Sequence, residues 1–224
     1  MAMQNTFEFI GEARFGKEPV RIQKFDSGWT KKSIQLSIAE SKNNNMFVQL
    51  EHGFYPDKAN DVYTFSKSMF GEKGSQLVVG WDDRFNDDTV RSVADFKKVI
   101  VDMTIDQEAK EEYYKLRGDI YKLESKEEPT DEDKEKLLEL YDEAKKTLPH
   151  RKEFLSSSDA IDYLEKIADK LKGKKLKVKG NVEASYWHGK TYVSYVAQSI
   201  EIVPDETLNK LSANVELYFT KESM

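Results

Sequence analysis

The chain has 224 residues, with 35 Lys plus Arg against 41 Asp plus Glu, a formal net charge of −6 and 12% aromatic residues. So many Phe, Tyr and Trp side chains exclude a disordered chain, which lacks large apolar groups to bury. The absence of Cys excludes disulfides, thiolate chemistry and Cys-based zinc sites, and no apolar run approaches the roughly 18–20 residues a membrane helix needs.

The N-terminus has no basic stretch followed by an apolar one, which argues against a secretory signal. The expectation is a soluble protein of the cytoplasm with no membrane partner. The acidity is localised. Residues 67–152 hold 17 basic and 22 acidic side chains, whereas residues 1–66 are neutral and residues 153–224 stand at −1. The C-terminal third also holds a local reversal: Lys170, Lys172, Lys174, Lys175, Lys177, Lys179 and Lys190 stand against the single acid Glu183. A chain that is acidic overall can still present a basic surface, and local potential governs an anionic ligand.

In chain order, Phe7 to Ile10 and Pro19 to Phe25 read as short strands. Ser33 to Ile38 alternates strictly, with Ile34, Leu36 and Ile38 on one face, the pattern of a half-buried strand. The run Ser41-Lys42-Asn43-Asn44-Asn45 is a turn signal, and Met46 to Glu51 returns as a second strand. Val62 to Ser66 and Gln76 to Trp81 are weaker strand signals. Val90 to Met103 begins with helical spacing and ends on the β-branched Val99-Ile100-Val101.

Ala109, Tyr113, Leu116, Ile120 and Leu123 recur at spacings of four and three, and Leu137, Tyr141, Ala144 and Leu148 repeat the pattern after Pro129. Each is an amphipathic helix with one narrow apolar stripe. Thr130 is a good N-cap, followed by three acids that oppose the helix dipole. The two stripes are expected to bury against each other in an antiparallel helical hairpin over about 107–148. Ser156-Ser157-Ser158-Asp159 caps a third helix carrying Ile161, Leu164, Ala168 and Leu171, with Gly173 as its C-cap. Lys175 to Glu183, Thr191 to Val203 and Ala213 to Thr220 follow as strands, the first two joined by a His188-Gly189 turn.

With the helical hairpin set aside, the order is several strands, a helix, then a hairpin of two long strands, with Phe7 to Phe25, Ser33 to Ile38 and Met46 to Glu51 as the first three strands, Asp159 to Leu171 as the helix, and Lys175 to Glu183 and Thr191 to Val203 as the last two strands. That order suits an α+β chain with an OB-fold-like Greek-key β-barrel, five strands with a helix between the third and fourth. Residues 1–66 and 152–224 would form the barrel and residues 67–151 a charged insertion. The alternative is two domains, the first ending near Met103.

The run KLKVKGNVEASYWHGKTYVSYVAQSIEI, Lys175 to Ile202, resembles the fourth and fifth strands of OB-fold single-stranded-DNA-binding proteins. The segment FDSGWTKKSIQLSIAESKNNNMFVQLEHG is similar to uncharacterised phage proteins of Gram-positive hosts. Together these resemblances cover about half the chain. They imply sequence-tolerant binding of single strands in phage DNA replication or recombination, no catalysis, and a location in the host cytoplasm.

The residue types such binding needs occur together. A cationic groove holds the backbone while bases stack on aromatic faces. Lys177 and Lys179 alternate along one face of the fourth strand, Tyr186, Trp187, Lys190 and Tyr192 surround the hairpin tip, and Trp29, Lys31 and Lys32 precede the second strand. In an OB-fold, the second and third strands and the loop between the fourth and fifth face the ligand. Packing is the competing explanation for Tyr192 and Tyr195, since β-propensity alone accounts for them. An edge device that blocks aggregation is the competing explanation for the lysines.

Other chemistries are weak here. Residues 184–191 fit a permissive phosphate-loop pattern, but Tyr, Trp and His fill the loop and a strand follows where a helix should open. Asp82-Asp83 and Asp87-Asp88 sit in a loop, where adjacent Asp residues form turns. No metal or cofactor is expected. Tyr114 and Tyr121 lie off the inner stripe, seven residues apart, so the acidic helical arm could dock a host or replication protein or a second copy of the chain.

Overall fold

A computed structural model describes residues 5–56 and 60–216. The chain runs through β1 (Thr6–Lys24), β2 (Thr30–Ala39), β3 (Asn45–Phe54), β4 (Val62–Phe65), β5 (Gln76–Val79), α1 (Asp87–Ser92), β6 (Val99–Asp102), α2 (Gln107–Glu124), α3 (Asp131–Thr147), β7 (Arg151–Phe154), α4 (Ser157–Leu171), β8 (Lys175–Trp187), β9 (Lys190–Ile202) and β10 (Lys210–Asn214). The protein is α+β with a mixed sheet. Among the described residues, no helix is long and apolar enough to cross a membrane.

The chain divides into two units. The first takes residues up to Gln23, Lys31–His52 and everything from Ile161 on; the second takes Lys24–Thr30 and Gly53–Ala160.

In the first unit, β2 and β3 form the hairpin that the alternating pattern demands. Ile34, Leu36, Ile38, Val48 and Leu50 are all buried. The turn closes with Glu40 N–H donating to the Asn44 carbonyl at 2.9 Å and Asn45 Nδ2 donating to Ser37 Oγ at 2.8 Å. The apolar runs at Phe7 to Ile10 and from Pro19 lie on one 19-residue strand, β1, close to the Phe7 to Phe25 span expected for the first barrel strand. Gly11 lets it pass close to β2, since a Cβ there would lie 2.3 Å from the Ala39 carbonyl oxygen.

The pairings run β10-β1-β2-β3-β9, and β8 pairs with both β1 and β9. They therefore lead from β1 through β2, β3, β9 and β8 back to β1. The join between β3 and β9 is parallel and pairs Gln49 with Val196, whereas β8 pairs with β1 and with β9 over long antiparallel registers. Within the β8–β9 pair the register shifts at Lys179/Gly180. Gly180 is required there, as a Cβ would lie 1.9 Å from the Val196 carbonyl oxygen and 2.9 Å from the Phe7 ring.

Helix α4 begins where Ser156 Oγ accepts from Ser158 N–H. It ends at Gly173, whose φ of +77° is the left-handed conformation of a helix C-terminus. Ile161, Leu164, Ala168 and Leu171 are buried along its apolar face. Ile161, Leu164 and Leu171 each contribute about 1.5–3 kcal/mol by leaving water.

In the second unit, β4 pairs with β5 and β6 with β7, both antiparallel. The predicted helical hairpin is present as α2 and α3, with Thr130 and Asp133 forming a capping box at the start of α3. The two stripes meet as expected: Tyr113, Ile120, Leu123, Leu137, Ala144 and Leu148 form one buried cluster. Met69 and Phe70 also pack against it, so the hairpin is fastened to the rest of its unit. Arg84 lies between the rings of Trp81 and Phe85, 3.7 and 4.2 Å from their centroids, and donates from Nε and Nη2 to Asp159.

Candidate functional site

β8 and β9 continue past the core as a two-stranded ribbon. The turn residues His188 and Gly189 have φ of +48° and +77°. Two successive positive-φ residues make the tight turn whose twist matches the flanking strands. Residues 184–191 are thus strand, turn and strand. Tyr186 is 75% exposed, Tyr192 49%, and Val193 beside them is also open to solvent. Tyr195, nearer the core, instead sets its ring edge-on to Phe7 and Phe9, with centroids 5.4 and 4.9 Å apart.

Directly paired residues share a face of a ribbon and successive residues alternate. Tyr186 pairs with Thr191, and Ser185 with Tyr192. Tyr186 therefore lies on one face of the ribbon, and Tyr192 and Lys190 on the other. Among the described side chains, the ribbon end carries one ring on each side. The backbone of Trp187 pairs with Lys190, and its side chain lies outside the described residues.

Lys177 and Lys179 point to the same face of β8, as the alternation requires, but each meets a carboxylate. Lys177 pairs with Glu201 at 3.0 Å and Lys179 with Glu8 at 3.1 Å, and Lys210 holds the same Glu8 at 2.8 Å. The bonds from Lys210 and Lys179 outweigh burial and pull the Glu8 carboxyl below its usual range. Lys175 Nζ donates to the backbone carbonyls of Asp205 and Thr207. Lys31 pairs with Glu51 at 2.6 Å, and Lys32 with Asp162. Lys190 makes no ion pair among the described residues.

Trp29 belongs to the second unit. Its ring lies against Phe25, with centroids 5.0 Å apart. It also lies against Gly53, where a Cβ would come within 2.2 Å of the ring. Tyr114 and Tyr121 are 57% and 70% exposed on α2. Tyr114 also meets Tyr113 edge-on at 5.7 Å. Asp87 and Asp88 open α1 behind the N-cap Asn86, whose side chain accepts from the N–H groups of Asp88 and Thr89, and Asp87 is paired with Lys145.

A second charged assembly has no signal in the sequence. In the second unit, Lys98 is 2% exposed and donates to Asp95 at 3.2 Å and Glu153 at 2.9 Å. Arg117 reaches Asp95 at 2.5 Å, and Arg151 reaches Glu153 at 3.2 Å. Lys67 donates to Glu124 at 3.1 Å, and Tyr141 donates its hydroxyl to the same carboxylate. Burial raises the Asp95 carboxyl, but Lys98, Arg117 and Lys67 together draw it below the usual value. For Glu153, burial opposes Lys98 and Arg151, and the cations again prevail. Burial pushes the Tyr113 hydroxyl up to about 12. These groups come from α2, α3, β7 and the segments before β6 and after β4, so no local motif announces them.

No family model, curated protein or solved structure matches the chain.

Proposed function

We propose that the first unit is an OB-fold barrel that binds single-stranded DNA without catalysis, in replication or recombination. What supports the fold reading is the cycle of pairings from β1 through β2, β3, β9 and β8 back to β1, with α4 preceding β8 in the chain. Such barrels bind oligonucleotides with the loop between their last two strands. The observation that carries the functional reading is the open end of that hairpin, where Tyr186 and Tyr192 stand in solvent while Tyr195 is packed.

Tyr186 and Tyr192 stack on bases and Lys190 meets a phosphate. Lys31, Lys32, Lys177 and Lys179 reach phosphates by exchanging their carboxylate partners, so they contribute less than unpaired lysines would. An aromatic stack is worth about 1–3 kcal/mol per base. A Tyr186→Ala/Tyr192→Ala variant is therefore expected to bind labelled oligo-dT at least tenfold more weakly than wild type, measured by fluorescence anisotropy at low salt. Affinity equal to wild type removes the site. Absence of binding by the wild-type chain removes the function.

A second reading rests on its own observation, the two exposed rings of Tyr114 and Tyr121 on α2. In it the acidic helical hairpin docks a host or replication protein and the first unit is scaffold. A wild-type chain that ignores oligo-dT at low salt leaves this reading in place.

A further inference from the structure

The second unit holds a half-open cavity of about 360 Å³. Small-ligand pockets run from roughly 300 to 1,000 Å³, so this one suits a compact molecule. Part of its wall is apolar, formed by Ile120, Ala144 and Leu148, and the aromatic residues Phe85, Tyr113 and Tyr141 also line it. Seven Lys and Arg residues line the cavity against two acids, Asp87 and Glu153. A cavity in the most acidic third of the chain is thus walled mainly by cations. Asp95, Glu124 and Asp142 balance several of these cations without lining the cavity themselves.

The cations form an array. Lys98 bridges Asp95 and Glu153, which in turn hold Arg117 and Arg151. A guanidinium carries five N–H donors in a fork that matches phosphate oxygens. Arg117 meets Asp95 through Nη2, and Arg151 meets Glu153 through Nε and Nη2, so both retain donors for a ligand. Burial draws Lys67 below the usual Lys range despite Asp95 and Glu124 nearby.

We propose that this cavity binds a small phosphorylated ligand bearing a flat ring, of the nucleoside monophosphate class, with Arg117 and Arg151 on the phosphate and the aromatic side chains on the ring. The same chemistry occurs in a free nucleotide and at the 5′-phosphorylated end of a DNA strand. The proposal does not depend on the reading of the first unit, because its primary probe is a mononucleotide.

The test is isothermal titration of the full chain at low ionic strength with thymidine monophosphate, thymidine and inorganic phosphate. Saturable binding of the monophosphate is expected, with thymidine and inorganic phosphate each at least tenfold weaker. Arg151→Gln should weaken the monophosphate at least tenfold. Because Arg151 is tied to Glu153 and its loss endangers folding, Lys145→Ala/Lys152→Ala serves as the second variant. Both side chains are exposed at the cavity rim, and a fivefold loss is expected with an unchanged melting temperature. A tenfold preference for 5′-phosphorylated over 5′-hydroxyl oligo-dT, itself lost in the rim variant, assigns the strand end as the source. Equal affinity for the two assigns the free nucleotide. No heat from the monophosphate at millimolar concentration, or binding untouched by both variants, overturns the proposal.

Discussion

Lys179 on β8 and Lys98 before β6 are both ion-paired, yet they sit in different media. Lys179 meets Glu8 with half its side chain in water, and Lys210 shares that carboxylate. Lys98 is almost wholly enclosed and meets two carboxylates, each of which holds a further arginine. An exposed pair is screened and worth about 0–1 kcal/mol. Removing one partner of a buried pair strands a charge and costs about 3–5 kcal/mol. The first set can exchange a carboxylate for a phosphate at little cost. The second is a fixed feature of its unit, and a ligand must be added to it rather than substituted into it.

The sharpest way to break this contrast is Glu153→Ala, which takes a carboxylate from Lys98 and Arg151 together. A loss of about 3–5 kcal/mol is expected from urea unfolding. A loss below 1 kcal/mol would mean that the assembly behaves like the surface set. Next in size is an alkaline effect. The Tyr113 hydroxyl stands at about 12 in the folded chain against 10.0 for a free tyrosine, because burial disfavours the phenolate. With the folded value raised, its stabilisation is fully present below pH 10 and is lost as pH rises from 10 through 12. The loss is on the order of 3 kcal/mol, at 1.36 kcal/mol per unit. Tyr113→Phe should flatten that part of the pH profile. An unchanged alkaline slope would show that the ring is not buried in its neutral form.

How far each region could be read from sequence follows from how local its causes are. The α2–α3 hairpin was legible because its stripes, its Thr130 cap and its acidic first turn lie within a few residues of one another. The β2–β3 hairpin and the His188-Gly189 turn were legible for the same reason. β1 shows in the sequence as two apolar runs because Glu12, Arg14 and Lys17 interrupt its pattern, and only the barrel order joined them into one strand; a strand exposed for part of its length keeps its pairing through such residues. β7 was missed outright. Arg-Lys-Glu-Phe has no alternation of its own and is a strand only because β6 lies beside it. The lysines of β8 were placed on the correct strand, but their partners could not be seen, since Glu8 comes from the other end of the chain and Glu201 from the next strand. Trp29 had a faint signal in Gly53, since a glycine inside a strand often marks a close approach.

The smallest expected effect tests the exposed set. Glu8→Ala removes the partner of both Lys179 and Lys210. Because both lysines keep half their surface in water, each can resolvate, and the chain should lose less than about 1 kcal/mol. The Glu8 carboxyl is held below 4.5 in the folded chain. Its small contribution is therefore present above the unfolded value and fades as pH falls through the folded one. Salt should erase it, since exposed charges are screened at about 8 Å in 0.15 M salt. The same substitution frees two ammonium groups on the outer face of the first unit. If that face touches DNA, affinity for oligo-dT should rise and its salt dependence steepen by roughly 0.7 in the log–log slope for each new phosphate contact. If neither changes while the Tyr186→Ala/Tyr192→Ala variant still binds more weakly, the lysine face is surface structure and the ribbon alone is the interface.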